Sequence, residues 1–178
     1  MIVQTTAALI RLKPVWKDRS IFLGFKILLT RSLVTSNFLY ACESRTSTAE
    51  LQRRIQAMEM RCYRTIPCIS YKERVTNEEV CAKIQQAIGL HENLVTMVKR
   101  RKLQWYGHVS RSSDLAKTIL QCTVKGGRRQ GRQNKRWEDY IGEWTGLVFA
   151  KSQRAVENRE KWRKLIMKSS VVPNDRRG

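Results

Sequence analysis

KRRKLQWYGHVSR, residues 99–111, decides how this chain is read. Four cations run without a break, and the aromatic pair Trp105 and Tyr106 follows within one helical turn. At 100° per residue, Leu94, Val98, Trp105 and Val109 fall within about 60° of arc. The pattern predicts a helix that starts near His91, apolar along that arc and basic over much of the rest. Lys99, Arg100 and Arg101 are then free to face an anion, and Lys102, which sits beside the arc, must snorkel to reach one. Trp105 is expected in the core. Tyr106 either packs or offers its ring to a base, a contact worth roughly 1–3 kcal/mol where it forms. His108 and Arg111 close the stretch, His108 either packed or facing phosphate.

A second basic block, KGGRRQGRQNKR, occupies 125–136. From Lys99 to Arg136 there are twelve Lys/Arg against one acid, Asp114, which gives +11 of the chain's formal +20. Gly126, Gly127 and Gly131 oppose regular structure in this block. It lacks the Gly-Lys-Ser/Thr of a nucleotide-binding loop. It reads either as a solvated loop or as a clamp on backbone phosphates by Lys125, Arg128, Arg129, Arg132, Lys135 and Arg136. The whole chain has 35 Lys+Arg against 15 Asp+Glu and a pI near 10.4. Such a surface gathers polyanions, so nucleic acid is the first partner to consider, ahead of anionic membrane or an acidic protein.

The flanking sequence reads as helices. Ile21, Phe25, Leu28, Leu29 and Leu33 recur at helical spacing, and Lys26 and Arg31 interrupt the run, which fits a buried helix better than a membrane span. Ser47-Thr-Ala-Glu50 has the form of a capping box ahead of the stripe Leu51, Ile55, Met58, Cys62, and Pro67 should end that helix. Thr76-Asn-Glu-Glu79 is a second box, with Val80 and Ile84 on its apolar side and Gly89 at its end. Ser113-Asp114 is expected to cap a short helix through Cys122. Two more amphipathic helices carry Trp137, Ile141 and Trp144, then Ala155, Val156, Trp162, Leu165 and Ile166. No alternating strands are seen. The expected fold is all-α, an irregular array of about 6–7 helices.

Six segments are specific in series: LYACES at 39–44, LQRRIQAMEMRCYR at 51–64, RVTNEEV at 74–80, RRKLQWYGHVSR at 100–111, GRRQGRQNKRWEDYI at 127–141 and NREKWRKL at 158–165. Together they resemble the C-terminal end of the reverse transcriptase of non-LTR (LINE-like, jockey/RTE-type) retrotransposons. The resemblance implies a thumb-like helical region over 1–70 and a basic helical C-terminal extension with a Gly/Arg-rich loop over 71–178. It implies a grip on template RNA, cDNA or target DNA during target-primed reverse transcription. A helical module that docks on a polymerase palm, without binding nucleic acid itself, is the alternative.

Catalysis is not expected. The palm of such polymerases holds two metal ions on adjacent aspartates, whereas the four aspartates here, Asp18, Asp114, Asp139 and Asp175, stand apart. The five cysteines are odd in number, and Cys62-x5-Cys68 with His91 and His108 lacks the tight pair of a zinc site. No cofactor, metal, membrane or small-molecule substrate is expected. Reduced thiols point to a nuclear or cytoplasmic compartment.

Overall fold

The computed structural model describes residues 2–89, 92–113, 115–121 and 137–170, and every regular element among them is helical. The all-α expectation holds. The described helices are shorter and more numerous than the periodicity implied: α1 Ile2–Arg11, α2 Lys13–Lys17, α3 Leu23–Leu29, a π-helical segment Thr30–Thr35, α4 Ser36–Leu39, α5 Ala49–Thr65, a 3₁₀ turn Tyr71–Glu73, α6 Asn77–Ile88, α7 Leu94–Arg111, α8 Leu115–Gln121, α9 Trp137–Thr145, α10 Phe149–Glu157 and α11 Arg159–Ser170. None of the described helices is long and apolar enough to cross a membrane.

Contacts divide the chain into two compact units, Met1–Cys42 with Thr48–Val95, and Glu43–Ser47 with Thr96–Gly178. The resemblance draws its boundary at residue 70; by packing, 71–95 go with the first unit.

In the first unit, α1 packs on the π segment, α4 and α5, while α6 packs on α3 and α5. The run α3–π–α4 is one unbroken helical path. Its buried face is Ile27, Val34 and Phe38, not the expected Phe25, Leu28 and Leu33, which are exposed. The reason is that both sides of this run are apolar and other features choose between them. A Cβ on Gly24 would lie 3.3 Å from the Ala87 carbonyl oxygen, so glycine lets α6 approach that side. Lys26 is also buried, and its Nζ donates to the Trp16 carbonyl at 2.8 Å.

Helix starts follow capping chemistry. Thr76 and Glu79 form the expected reciprocal box, with Thr76 N–H to Glu79 Oε2 at 2.9 Å and Glu79 N–H to Thr76 Oγ1 at 3.3 Å. At the other box the register moves by one residue. Thr48, not Ser47, caps α5 by accepting the Leu51 N–H at 3.1 Å, while Ser47 is buried and Glu50 pairs with Arg54 at 2.9 Å. The helix stops at Thr65, ahead of Pro67.

Glu59 lies on the buried side of α5 and is 5% exposed. Its Oε1 accepts the Leu94 N–H at the start of α7 at 3.0 Å and the Tyr63 hydroxyl at 2.9 Å. Desolvation raises its carboxyl to about 7. Beside it, burial and then the Glu59 charge push the Cys62 thiol up to about 11. Cys42 and Cys62 are buried, while Cys68 and Cys81 are exposed. Iodoacetamide at pH 8 should therefore label Cys68 and Cys81 in the folded protein and reach Cys62 only on unfolding. Mass-spectrometric mapping checks this, and rapid labelling of native Cys62 would contradict the burial. Cys122 lies outside the described residues.

Candidate nucleic-acid interface

The second unit is built on aromatic packing around α7. Leu103 and Tyr106 pack with Ile141 of α9, Val156 of α10, and Trp162 and Ile166 of α11. Trp162 is 2% exposed and donates Nε1–H to the Leu103 carbonyl at 3.0 Å. Gly107 makes room for it: a Cβ there would lie 2.3 Å from Trp162 Nε1 and 2.6 Å from Cδ1. Tyr106 is fully buried, with its hydroxyl 2.9 Å from Ser152 Oγ.

Of the two readings open for Tyr106, packing holds, whereas Trp105 falls short of the core expected for it. Tyr106 is the core residue and no base reaches its ring. Trp105 is half-buried, its ring edge-on to Trp137 with centroids 5.2 Å apart. The buried side of α7 takes in Leu94, Val95, Val98, Lys102, Leu103, Tyr106 and Val109, which cover about 180° of arc.

Lys102, named as an anion contact, is also inside. It is 2% exposed, donates Nζ–H to the carbonyls of Glu43 and Arg45, and lies 5.7 Å from the Trp137 ring centroid. Trp137 Nε1–H donates to the same Glu43 carbonyl at 3.0 Å. The lysine therefore holds the 43–47 strap rather than facing a ligand.

The other polar residues of this basic stretch divide by exposure. Lys99 and Arg100 are partly covered; the Lys99 ammonium sits 5.8 Å from the Trp144 ring centroid, and burial lowers its pKa while Glu143 opposes the shift. Arg101, Gln104, His108 and Arg111 are exposed. Their spacing of three, four and three residues puts them on one side of the helix. Arg101 approaches Glu43 at 3.8 Å, a loose surface pair of little strength. Arg111 donates Nη1–H to the Val156 carbonyl at 3.0 Å. Burial lowers its pKa first, and Arg159 and Arg163 lower it further.

Lys125, Arg128, Arg129, Arg132, Lys135 and Arg136 lie outside the described residues. Among the described residues, no group of three His, Cys, Asp or Glu is placed to hold a metal ion.

Comparison with known proteins finds no matching family model, curated protein or solved structure. The candidate interface rests on its own residues: the exposed α7 row of two arginines, a glutamine and a histidine, backed by an aromatic core. Lys117, Arg159 and Arg163 belong beside it and were missed in the sequence, where 158–165 was read only for its apolar stripe. The signal was available in NREKWRK, whose cations outnumber its acid four to one.

Proposed function

We propose that this chain is a non-catalytic nucleic-acid-binding region, the C-terminal part of a LINE-like reverse transcriptase, which grips the backbone of template RNA, cDNA or target DNA. The observation that carries this reading is the exposed row Arg101, Gln104, His108 and Arg111 on a helix whose opposite side is locked into an aromatic core. A pre-ordered row loses less freedom on binding than a mobile one. The basic block at 125–136 adds cations next to it in sequence, and the six family-like segments run in the family's order. Contacts to phosphate fix position and carry little sequence information, so binding is sequence-tolerant. The intact element's palm is the other partner, in a nuclear or cytoplasmic setting.

A filter-binding titration tests the reading. With about six cations on the phosphates of a duplex, the log–log salt slope should be near −5, from about −0.9 per contact. Neutralising Arg128, Arg129, Arg132, Lys135 and Arg136 should flatten that slope with little loss of stability, since changes of solvated charges usually stay within about ±0.5 kcal/mol each. A flat salt response of the parent chain would overturn the reading.

One observation favours the docking alternative. Phe25 is 44% exposed, Leu28 54% and Leu33 47%, so the α3–π–α4 run presents apolar side chains that the described residues of its own unit leave partly uncovered. Exposed apolar area of this kind marks interaction surfaces. In that reading the palm of an intact element covers it, and the cations serve solubility alone.

A further inference from the structure

A cleft of about 550 Å³ opens in the second unit, lined by Ser110 and Arg111 of α7, Lys117 of α8, Gln153 and Glu157 of α10, and Arg159 of α11. We propose that it seats a backbone phosphate of a single nucleic-acid strand, which the side chains of Arg111, Lys117, Arg159 and Arg163 hold together. The proposal rests on the nucleic-acid reading above and adds to it a specific concave seat, in which Lys117 and Arg159 join Arg111 in the lining and Arg163 stands close enough to act on Arg111.

Three observations converge. Arg159 and Arg163 are near enough to Arg111 for their charges to act on it unfavourably. Among the described residues, no carboxylate forms an ion pair with any of these four cations. Like charges gathered this way oppose folding unless an anion comes between them. Next, Arg111 is held in place through its bond to the Val156 carbonyl, so the guanidinium is positioned before a ligand arrives. Guanidinium groups match phosphate with two parallel hydrogen bonds, which a point charge does not. Finally, Asn158 Oδ1 already accepts the Glu160 and Lys161 N–H groups at 3.1 Å each, so the side chains, not the end of α11, meet the ligand.

Size and placement argue for a strand. Small-ligand pockets run about 300–1,000 Å³, and a seat in that range takes a phosphate group but no folded partner. From Arg101 to Arg111 the helix advances about 15 Å. A strand tracking the exposed row of α7 therefore arrives at Arg111 and enters the cleft.

The test compares the full chain with two charge-matched double variants, R159Q/R163Q in the seat and R19Q/R53Q on exposed sites of the first unit. Single-stranded RNA of mixed sequence is titrated by fluorescence anisotropy at several salt concentrations. The seat variant should lose about tenfold in affinity and flatten the log–log slope by about 1.4, at roughly −0.7 per single-strand contact, while the control pair moves far less. R159K/R163K, which keeps the charge but not the fork, should recover the slope and only part of the affinity. Equal losses in both glutamine variants would show that net charge alone matters and would overturn the seat while leaving the nucleic-acid reading intact. No RNA or DNA binding by the parent chain would remove both. Retention of RNA affinity in R159Q/R163Q with loss of binding to phosphatidylserine vesicles would reassign the cleft to lipid headgroups and overturn the proposal.

Discussion

Gly107→Ala lowers the stability of the second unit by about 2–4 kcal/mol, although alanine is the better helix former by about 1 kcal/mol. The methyl group would stand 2.3 Å from Trp162 Nε1. The indole is 2% exposed and tied to the Leu103 carbonyl, so no flexible end can swing aside. The ring has to shift. That costs about 1–3 kcal/mol in overpacking, and leaving its N–H unbonded in the core costs about as much again. Trp162→Ala alone should cost about 3–5 kcal/mol as a buried-aromatic deletion. In that background the clash is gone, and Gly107→Ala should become neutral or stabilising. Urea midpoints of the four proteins close the double-mutant cycle. A Gly107→Ala single variant as stable as the parent would show that the helix and indole are not in this contact.

Raising pH from 4.5 to 7 costs the folded chain stability through Glu59, by about 3 kcal/mol in all. The sign follows from the direction of the shift. Glu59 is raised from 4.5 to about 7 in the fold by desolvation. Between those values the folded chain holds a proton that the unfolded chain has released, so stability falls by about 1.4 kcal/mol per pH unit and levels off above 7. The Leu94 N–H opposes the shift, and the start of a helix favours a carboxylate. Glu59→Gln keeps an acceptor for Leu94 and Tyr63 and removes the titration. Its urea midpoint relative to the parent should rise with pH across this window and match the parent near pH 4.5. Parallel midpoints of the two proteins from pH 4.5 to 8 would refute a buried neutral Glu59.

Local chemistry was legible where a motif has a single reading. The Thr76 box, the stop before Pro67 and the glycine end of α6 all follow from backbone donors that need partners. The Ser47 box failed because Thr48 next to it caps as well, and the buried Ser47 side is settled by tertiary packing. The face of α3–π–α4 was misread because apolar residues line both sides, and Gly24 and Lys26 carry no hydrophobic signal. On α7, Leu94, Val98 and Val109 are buried as the periodicity predicts, but Lys102 sits at the centre of the buried side, where no hydrophobic signal marks it, and Trp105 at its edge is only half-buried. The basic character of 99–111 was visible as composition, but the separation of the exposed row 101–104–108–111 from buried Lys102 was not. The cleft joins α7, α8, α10 and α11, and no spacing rule links residues that far apart in the chain.

The buried lysine has a consequence for how mutational scans of 99–102 are interpreted. Replacing Lys102 by alanine withdraws a donor from the Glu43 and Arg45 carbonyls and a cation from beside Trp137, so the 43–47 strap loosens. Replacing Arg101 removes an exposed charge and its loose pair with Glu43. A scan scored only by retained RNA would rank Lys102 as the strongest hit of the four, and that rank would measure folding rather than touch.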